Sequence, residues 1–290
     1  MNLYDILIAP FADYAFMQRA LVGTIALAVG SAAVGVFLVI RRMSLMGDAM
    51  AHAILPGAAI GYLIAGFSLF AMTLGGLIAG LVVAIASGLV ARATPLREDA
   101  SLASFYLISL SVGVLIVSLE GSNVDLLHLL FGSVLAVNDD ALFLMAGSAS
   151  LTLVVLALVF RPLVGECLDP GFLRHMGGSG RFVHFVFLCL VVLNFVAGFH
   201  ALGTLMAVAM MVLAPSAARF WSESLGAQLA LAILLAIASS VVGLLVSWHA
   251  AVPSGPAITL TLGLIYTVSI FAGPYGGIFP GMIRRPHLQS

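Results

Sequence analysis

The sequence predicts an all-α, polytopic membrane protein with about nine transmembrane helices. Of its 290 residues, 62% are hydrophobic and 8% are charged, whereas an average soluble domain has roughly 25% charged residues. The mean hydropathy is +1.21. Apolar runs of the length that crosses a bilayer core, about 20 residues, recur along the whole chain. They leave no room for a soluble domain, so we expect residues 1–290 to form a single transmembrane domain.

The predicted spans lie in segments that lack Asp, Glu and Arg. These segments are Ala20 to Ile40, Ala49 to Ala91, Ala100 to Leu119, Ala141 to Phe160, Phe182 to Ala218, Ser224 to Ala251 and Ala257 to Gly273. Two of them are too long for one pass, and we divide them at Gly66-Phe-Ser68 and at Gly203. The piece after Gly203 is short for a full span, so the prediction is eight to nine helices.

The arginines predict the orientation of the chain, because cytoplasmic loops are rich in basic residues. Placing residues 162–181 in the cytoplasm also puts the other arginines there, with the exception of Arg19. Residues 1–17 then form an external N-terminal segment, and residues 274–290 form a cytoplasmic tail. Residues 120–140 are too polar to span the membrane, and we expect a short external or re-entrant helix there.

Close helix contacts are predicted where small residues recur at four-residue spacing. Gly57 with Gly61, and Gly76 with Gly80, follow this pattern. Such positions let two helix backbones approach in lipid.

Several classes of function are excluded by missing residues. The chain has no lysine, and a P-loop needs a lysine to hold nucleotide phosphates; any ATP that drives this protein therefore binds to another polypeptide. No zinc-protease motif or pair of nucleophile and base is present, so no catalytic residue is expected. Cys167 and Cys189 are too few and too scattered for a disulfide framework. Nucleic acid is not an expected partner.

The most informative motif contains Asp48 and His52, four residues apart within an apolar stretch. Residues at i and i+4 share one helix face, so a carboxylate and an imidazole can reach the same point. An acidic residue at the centre of a membrane helix costs roughly 2.5 to 3.5 kcal/mol, and a bound cation would offset that cost. These donors suit zinc, manganese or ferrous iron. Pro56 is expected to break the helix one turn later.

Alternatives remain for this pair and for its metal. Asp48 can also cap the helix or pair with Arg41 or Arg42, and an intramembrane acid and histidine can relay protons. Two ligands do not complete a coordination shell. Weaker metal candidates at the predicted outer side are His200, His249 and His128. These histidines and the softness of imidazole favour zinc over manganese and iron.

The motif belongs to a longer pattern, Arg41-Arg-Met-Ser-Leu-Met-Gly-Asp-Ala-Met-Ala-His-Ala-Ile-Leu-Pro-Gly57. This pattern closely resembles the permease subunits of bacterial zinc, manganese and iron ABC importers. Three further stretches are similar to that family, and the resemblance extends from about residue 18 to residue 273. They are Leu130-Phe-Gly-Ser-Val-Leu-Ala-Val137, Leu202-Gly-Thr-Leu through Ala214-Pro-Ser-Ala-Ala-Arg219, and Pro253-Ser-Gly-Pro-Ala-Ile258.

The resemblance implies a homodimeric permease of the metal-type ABC importer fold, in the bacterial cytoplasmic membrane. It implies an ABC ATPase subunit that binds ATP, an extracytoplasmic metal-binding protein, and no permanently bound cofactor. Asp48 and His52 match the family motif on the translocation path. The family's ATPase-coupling helix corresponds to Asp169, Pro170, Gly171, Phe172, Leu173 and Gly177, with Gly171 and Leu173 in place of glutamate and alanine.

The expected function is therefore ATP-driven import of a divalent transition metal, with zinc preferred. An import permease for a chelated metal or vitamin would need a wide cavity rather than an ion-sized ligand pair. An ion-coupled secondary carrier is the alternative from another class, and it would need no ATPase.

Overall fold

The computed structural model describes residues 3–66, 68–119, 137–168 and 180–283, and every regular element in these ranges is an α-helix. The predicted all-α class is confirmed. The helices are α1 (Leu3–Leu7), α2 (Ala9–Asp13), α3 (Ala15–Ile40), α4 (Leu45–Ala53), α5 (Leu55–Ala65), α6 (Leu69–Ala93), α7 (Glu98–Leu119), α8 (Asp139–Leu168), α9 (Gly180–Leu202), α10 (Thr204–Arg219), α11 (Leu225–Ala250), α12 (Ser254–Ala272) and α13 (Ile278–Ile283).

Eight spans in the described ranges are long and apolar enough to cross a membrane, with α4 and α5 together forming one of them. The tenth helix has only 16 residues, or about 24 Å at 1.5 Å per residue. It still returns the chain to the end of the bundle where α3 finishes. Its last residue, Arg219, lines the same cavity of about 280 Å³ as Phe37 and Ile40 of α3. The described residues thus contain eight spans of membrane-crossing length and one shorter apolar helix.

The centre of the bundle consists of α3 and α9. Within the most apolar part of each, 72% of residues are buried, compared with 17% in α7. Helix α3 packs against α8, α10 and α11 as well as α9. In lipid, a helix satisfies its backbone hydrogen bonds internally, so these continuous apolar runs can form helices whether protein or lipid surrounds them.

Glycines end helices at the two predicted divisions. Gly66 has φ +63° and Gly203 has φ +89°, which are backbone conformations that strain other residues. Ser68 then caps α6, because its Oγ accepts a hydrogen bond of 3.4 Å from the Ala71 N–H. Both predicted divisions are confirmed. The break at Pro56 is confirmed too, since α4 ends at Ala53 and α5 begins at Leu55.

Helices α5 and α6 approach each other through glycines. A Cβ added at Gly57 would collide with the Gly75 carbonyl oxygen, and one at Gly61 would lie 2.7 Å from the Ala71 carbonyl carbon. Close contact at Gly57 and Gly61 is thereby confirmed. Gly80 packs instead against Val192 of α9, where an added Cβ would lie 2.7 Å from Val192 Cγ1.

The residues at the ends of the helices bear on the predicted orientation and on the predicted loop boundaries. Arg19, the exception to the predicted orientation, lies 3.3 Å from Asp139 at the start of α8, so an acidic partner accompanies it. Helix α8 continues through Pro162 to Leu168, because a proline inside a membrane helix is tolerated where neighbouring groups compensate for the lost hydrogen bond. Residues 162–168 and 180–181, which the sequence placed in the loop 162–181, are therefore helical.

Candidate metal site

A tight turn positions α4, the helix that carries the predicted metal ligands. After α3, the Met43 N–H donates to the Leu38 carbonyl at 2.9 Å, and the Arg42 N–H donates to the Val39 carbonyl at 3.1 Å. This pattern closes a helix with a left-handed residue, and Arg42 takes that position with φ +59°. The chain therefore reverses within four residues and begins α4 at Leu45.

Helix α4 has one buried face and one open face. Both of its methionines and all three of its alanines are buried, and Gly47 allows close approach to α9 and α10. An added Cβ at Gly47 would lie 3.1 Å from Val212 and 3.4 Å from Phe195. The opposite face carries Asp48, whose side chain is 71% exposed, and His52, whose side chain is 34% exposed.

The two predicted ligands do converge. Asp48 Oδ1 lies 3.9 Å from His52 Nε2, which is too long for a hydrogen bond. Two ligands of one tetrahedral ion, each bound at about 2.1 Å, would stand about 3.4 Å apart. A small side-chain rotation therefore brings the carboxylate and the imidazole to ligand spacing around one ion.

The alternative pairing of Asp48 with Arg41 is not what the structure contains. The Arg41 guanidinium contacts two other side chains, with Nη1 2.8 Å from His184 Nδ1 and Nη2 4.0 Å from Glu166 Oε1. The Asp48 side chain makes no capping hydrogen bond at the start of α4, where Ser44 is the N-cap residue and makes none either. The acid is thus available to a ligand on the open face.

Helix α7 packs beside the Asp48–His52 pair, and no motif in the sequence predicts this contact. The Tyr106 ring stacks on the His52 ring, with centroids 6.2 Å apart and planes inclined by 29°. Ser109 Oγ donates to the Ala53 carbonyl at 3.0 Å, beside the helix break. Gly113 lets the α7 backbone pass Pro56, since an added Cβ would lie 3.1 Å from Pro56 N. A stripe of polar and small residues at three- and four-residue spacing in α7 was the available signal.

The described residues of one chain supply only part of a coordination shell at this point. Among the residues that the structure describes, no group of three or more His, Cys, Asp or Glu side chains could hold a metal ion. His52 Nδ1 is buried and has no hydrogen-bond partner, whereas a tightly held metal usually has a histidine oriented by a second-shell acceptor. Both observations suit an ion that is bound transiently.

Of the other predicted ligands, the structure describes only the His249 side chain, which bonds elsewhere. His249 Nε2 is 3.1 Å from the Ile6 carbonyl oxygen and so joins the end of α11 to the N-terminal segment. His200 belongs to α9, but its side chain is outside the described part of the structure. The described residues also exclude His128 and the predicted coupling residues, namely Asp169, Pro170, Gly171, Phe172, Leu173 and Gly177.

Comparison with known proteins gives the family. The family model described as the ABC 3 transport family matches residues 13–273. This chain belongs to that family. The membership confirms the permease resemblance seen in the sequence and identifies a multi-pass protein of the bacterial inner membrane.

The relatives match over nearly the whole chain. The manganese import system permease protein ScaB of Streptococcus gordonii is 33% identical over 262 residues, which cover 90% of this chain and 93% of that relative. The chelated iron transport system membrane protein YfeD of Yersinia pestis is 30% identical, covering 92% of this chain and 89% of that relative.

A solved structure matches equally well. PsaBC from Streptococcus pneumoniae, in complex with Fab, superposes with a TM-score of 0.82 at 29% identity. The match covers 96% of this chain and 100% of the other. The permease fold expected from the sequence is therefore confirmed.

Proposed function

We propose that this chain is the membrane permease of an ATP-driven importer for a divalent transition metal, and that Asp48 and His52 bind the ion in transit. The observation that carries the proposal is the convergence of their side chains, 3.9 Å apart, on the open face of α4. A carboxylate oxygen and an imidazole nitrogen suit divalent metals of the first transition row. Neither ligand is sequestered in the core, so the ion can enter and leave.

We propose that a second copy of the chain completes the coordination shell. Asp48 is 71% exposed although α4 lies in the membrane-spanning part of the chain, where an uncovered carboxylate is costly. A homodimer that pairs the two open faces would cover it. Two copies would then offer four side-chain ligands, and water or backbone carbonyls could supply the rest.

Manganese is the cargo that we place first. ScaB is named for manganese and YfeD for chelated iron, and a carboxylate is a hard ligand that suits manganese. The preference for zinc depended partly on the outer histidines. Of these, His249 is 3.1 Å from a backbone carbonyl oxygen of the N-terminal segment, so it does not support that preference. Iron and zinc are the alternatives that the assay below must separate.

The permease would work with two partners. An ABC ATPase would dock at the end of the bundle where α3 and α8 finish, through the connection between α8 and α9. An extracytoplasmic metal-binding protein would deliver the ion at the opposite end. Nucleotide-driven closure of the ATPases would rock the permease halves and expose the site alternately to each side.

The test is metal uptake into proteoliposomes that contain the permease, its ATPase and its binding protein. Asp48→Asn removes the charge and His52→Gln removes the imidazole nitrogen, while both roughly keep side-chain size. We expect each variant to lower manganese uptake at least about tenfold, which corresponds to a loss of about 1.4 kcal/mol of binding free energy. Asp140→Asn and His249→Gln make matching changes away from α4 and should transport as wild type does. Wild-type uptake of manganese, iron and zinc by both site variants would refute the assignment.

Liposomes that contain the permease without its partners test the rival mechanism. Uptake by the permease alone, driven by an ion gradient without ATP, would identify an ion-coupled carrier instead. The ion-sized gap between Asp48 and His52 favours a bare ion over a chelate, so excess chelator should abolish uptake.

A further inference from the structure

A buried charged cluster lies at the end of the bundle opposite His249, and the proposed metal site does not use it. It comprises Arg41, Glu166 and His184, and we call it the Arg41 cluster. Arg41 Nη1 is 2.8 Å from His184 Nδ1, and Nη2 is 4.0 Å from Glu166 Oε1. The side chains of Arg41 and Glu166 are only 9% and 8% exposed.

The chemistry of the cluster fixes its geometry. A guanidinium can only donate hydrogen bonds, so His184 Nδ1 accepts from Arg41. The guanidinium also lies over the Phe187 ring, 4.9 Å from its centroid, in a cation–π arrangement. The Glu166 carboxylate packs against Gly180 at the first residue of α9, where the helix dipole favours negative charge. Arg41 is therefore held by the end of α8 and by the first turns of α9.

The position of Arg41 in the chain links two functional regions. Glu166 and His184 flank the connection 169–179, which joins α8 to α9 and contains the residues predicted to couple to the ATPase. On its other side, Arg41 begins the four-residue turn into α4, and Asp48 follows seven residues later. A single side chain thus joins both ends of that connection to the helix that carries the metal ligands.

Stability alone does not account for this arrangement. A buried ion pair often contributes no more than apolar side chains of the same volume would, and the ends of membrane helices can be closed without one. We propose that Arg41 is a positioning residue that transmits movement of the α8 and α9 ends to α4, so that ATP hydrolysis changes access to the metal site. This inference rests on the proposed import function.

The experiment measures manganese transported per ATP hydrolysed, using the permease co-purified with its ATPase and reconstituted with the binding protein. The double variant Arg41→Met with Glu166→Gln removes both charges of the Arg41–Glu166 pair and roughly keeps the volume of the two side chains, so neither member of that pair is left charged alone. We expect its ATPase activity to stay within about twofold of wild type while transport per ATP falls at least about tenfold. Manganese binding to the purified permease should not change. Arg97→Gln alters an arginine whose side chain is 87% exposed and that lies outside the cluster and the turn into α4, and it should behave as wild type.

A second variant keeps the proposal testable if the double variant does not fold. Arg41→Lys retains the charge but cannot reach two partners with the planar fork of a guanidinium, so it too should hydrolyse ATP with little transport. A purely structural role would lower binding, hydrolysis and transport together. Wild-type transport per ATP in both variants would overturn the inference and leave the import function standing. Absence of uptake by the wild-type assembly would overturn both.

Discussion

Ser109→Ala should weaken the contact between α7 and the helix break beside the metal site. Ser109 Oγ donates to the Ala53 carbonyl at 3.0 Å, and the substitution leaves that carbonyl without this donor. Hydrogen bonds between membrane helices contribute about 0.6 kcal/mol on average and at most about 1.7 kcal/mol. Because the freed carbonyl is beside a break that already lacks one donor at Pro56, we expect a loss of about 1 to 1.7 kcal/mol in the free energy of unfolding.

The assay is reversible unfolding of the purified permease in mixed micelles, titrated with dodecyl sulfate and followed by far-UV circular dichroism. Ser111→Ala provides the matched control, since Ser111 Oγ bonds to the Leu107 carbonyl within α7 itself at 2.8 Å and is exposed. Manganese affinity should fall in Ser109→Ala, by roughly 5- to 20-fold if the whole loss in free energy is expressed at the site.

Equal unfolding free energies for Ser109→Ala and Ser111→Ala would refute this reasoning. That result would mean that packing of Gly113 against Pro56, an added Cβ lying 3.1 Å from Pro56 N, holds α7 against the break without help from the hydrogen bond.

Three further substitutions have definite expected outcomes. Gly57→Ala forces a methyl group against an α6 carbonyl and should lower the free energy of unfolding by about 1 to 3 kcal/mol. The loss should appear as less monodisperse protein in size-exclusion chromatography. Gly147→Ala meets open space and should change the free energy of unfolding little. Thr152→Val removes the partner 2.8 Å from the buried Asn194 amide nitrogen and should lower the unfolding free energy by about 0.6 to 1.7 kcal/mol in the micelle titration. Tyr106→Leu removes the ring stacked on the His52 ring. Because such stacking is worth about 0.5 to 1.5 kcal/mol, manganese binding measured by calorimetry should weaken by roughly 2- to 12-fold. Unchanged affinity would mean that Tyr106 contributes to packing alone.

The helices and their divisions could be predicted because each depends on local sequence. Continuous apolar runs need no partner to form helices in lipid, and Gly66 and Gly203 take positive φ values that other residues disfavour. The convergence of Asp48 and His52 was predictable for the same reason, since the helical period alone puts residues i and i+4 on one face.

The partners of these residues could not be predicted, because they come from distant parts of the chain. Proximity in sequence favours a pair of Arg41 with Asp48, but the hydrogen-bond partner of Arg41 is His184, 143 residues away. The turn at Arg42, with φ +59°, lies between the two residues and ends the helix before α4 begins. Nor does any local pattern show that the Tyr106 ring stacks on the site histidine.

The contrast between the buried centre and the outer helices has a consequence for the membrane itself. Only 28% of the apolar span is buried in α6, α8 and α12, compared with 72% in α3 and α9, so acyl chains touch the outer helices far more than the inner pair. A change in bilayer thickness would tilt the outer helices and hardly affect α3 and α9. Such hydrophobic mismatch costs about a fraction of a kcal/mol per Å. Phospholipids of different chain length should therefore adjust the turnover rate without altering the selectivity for the ion.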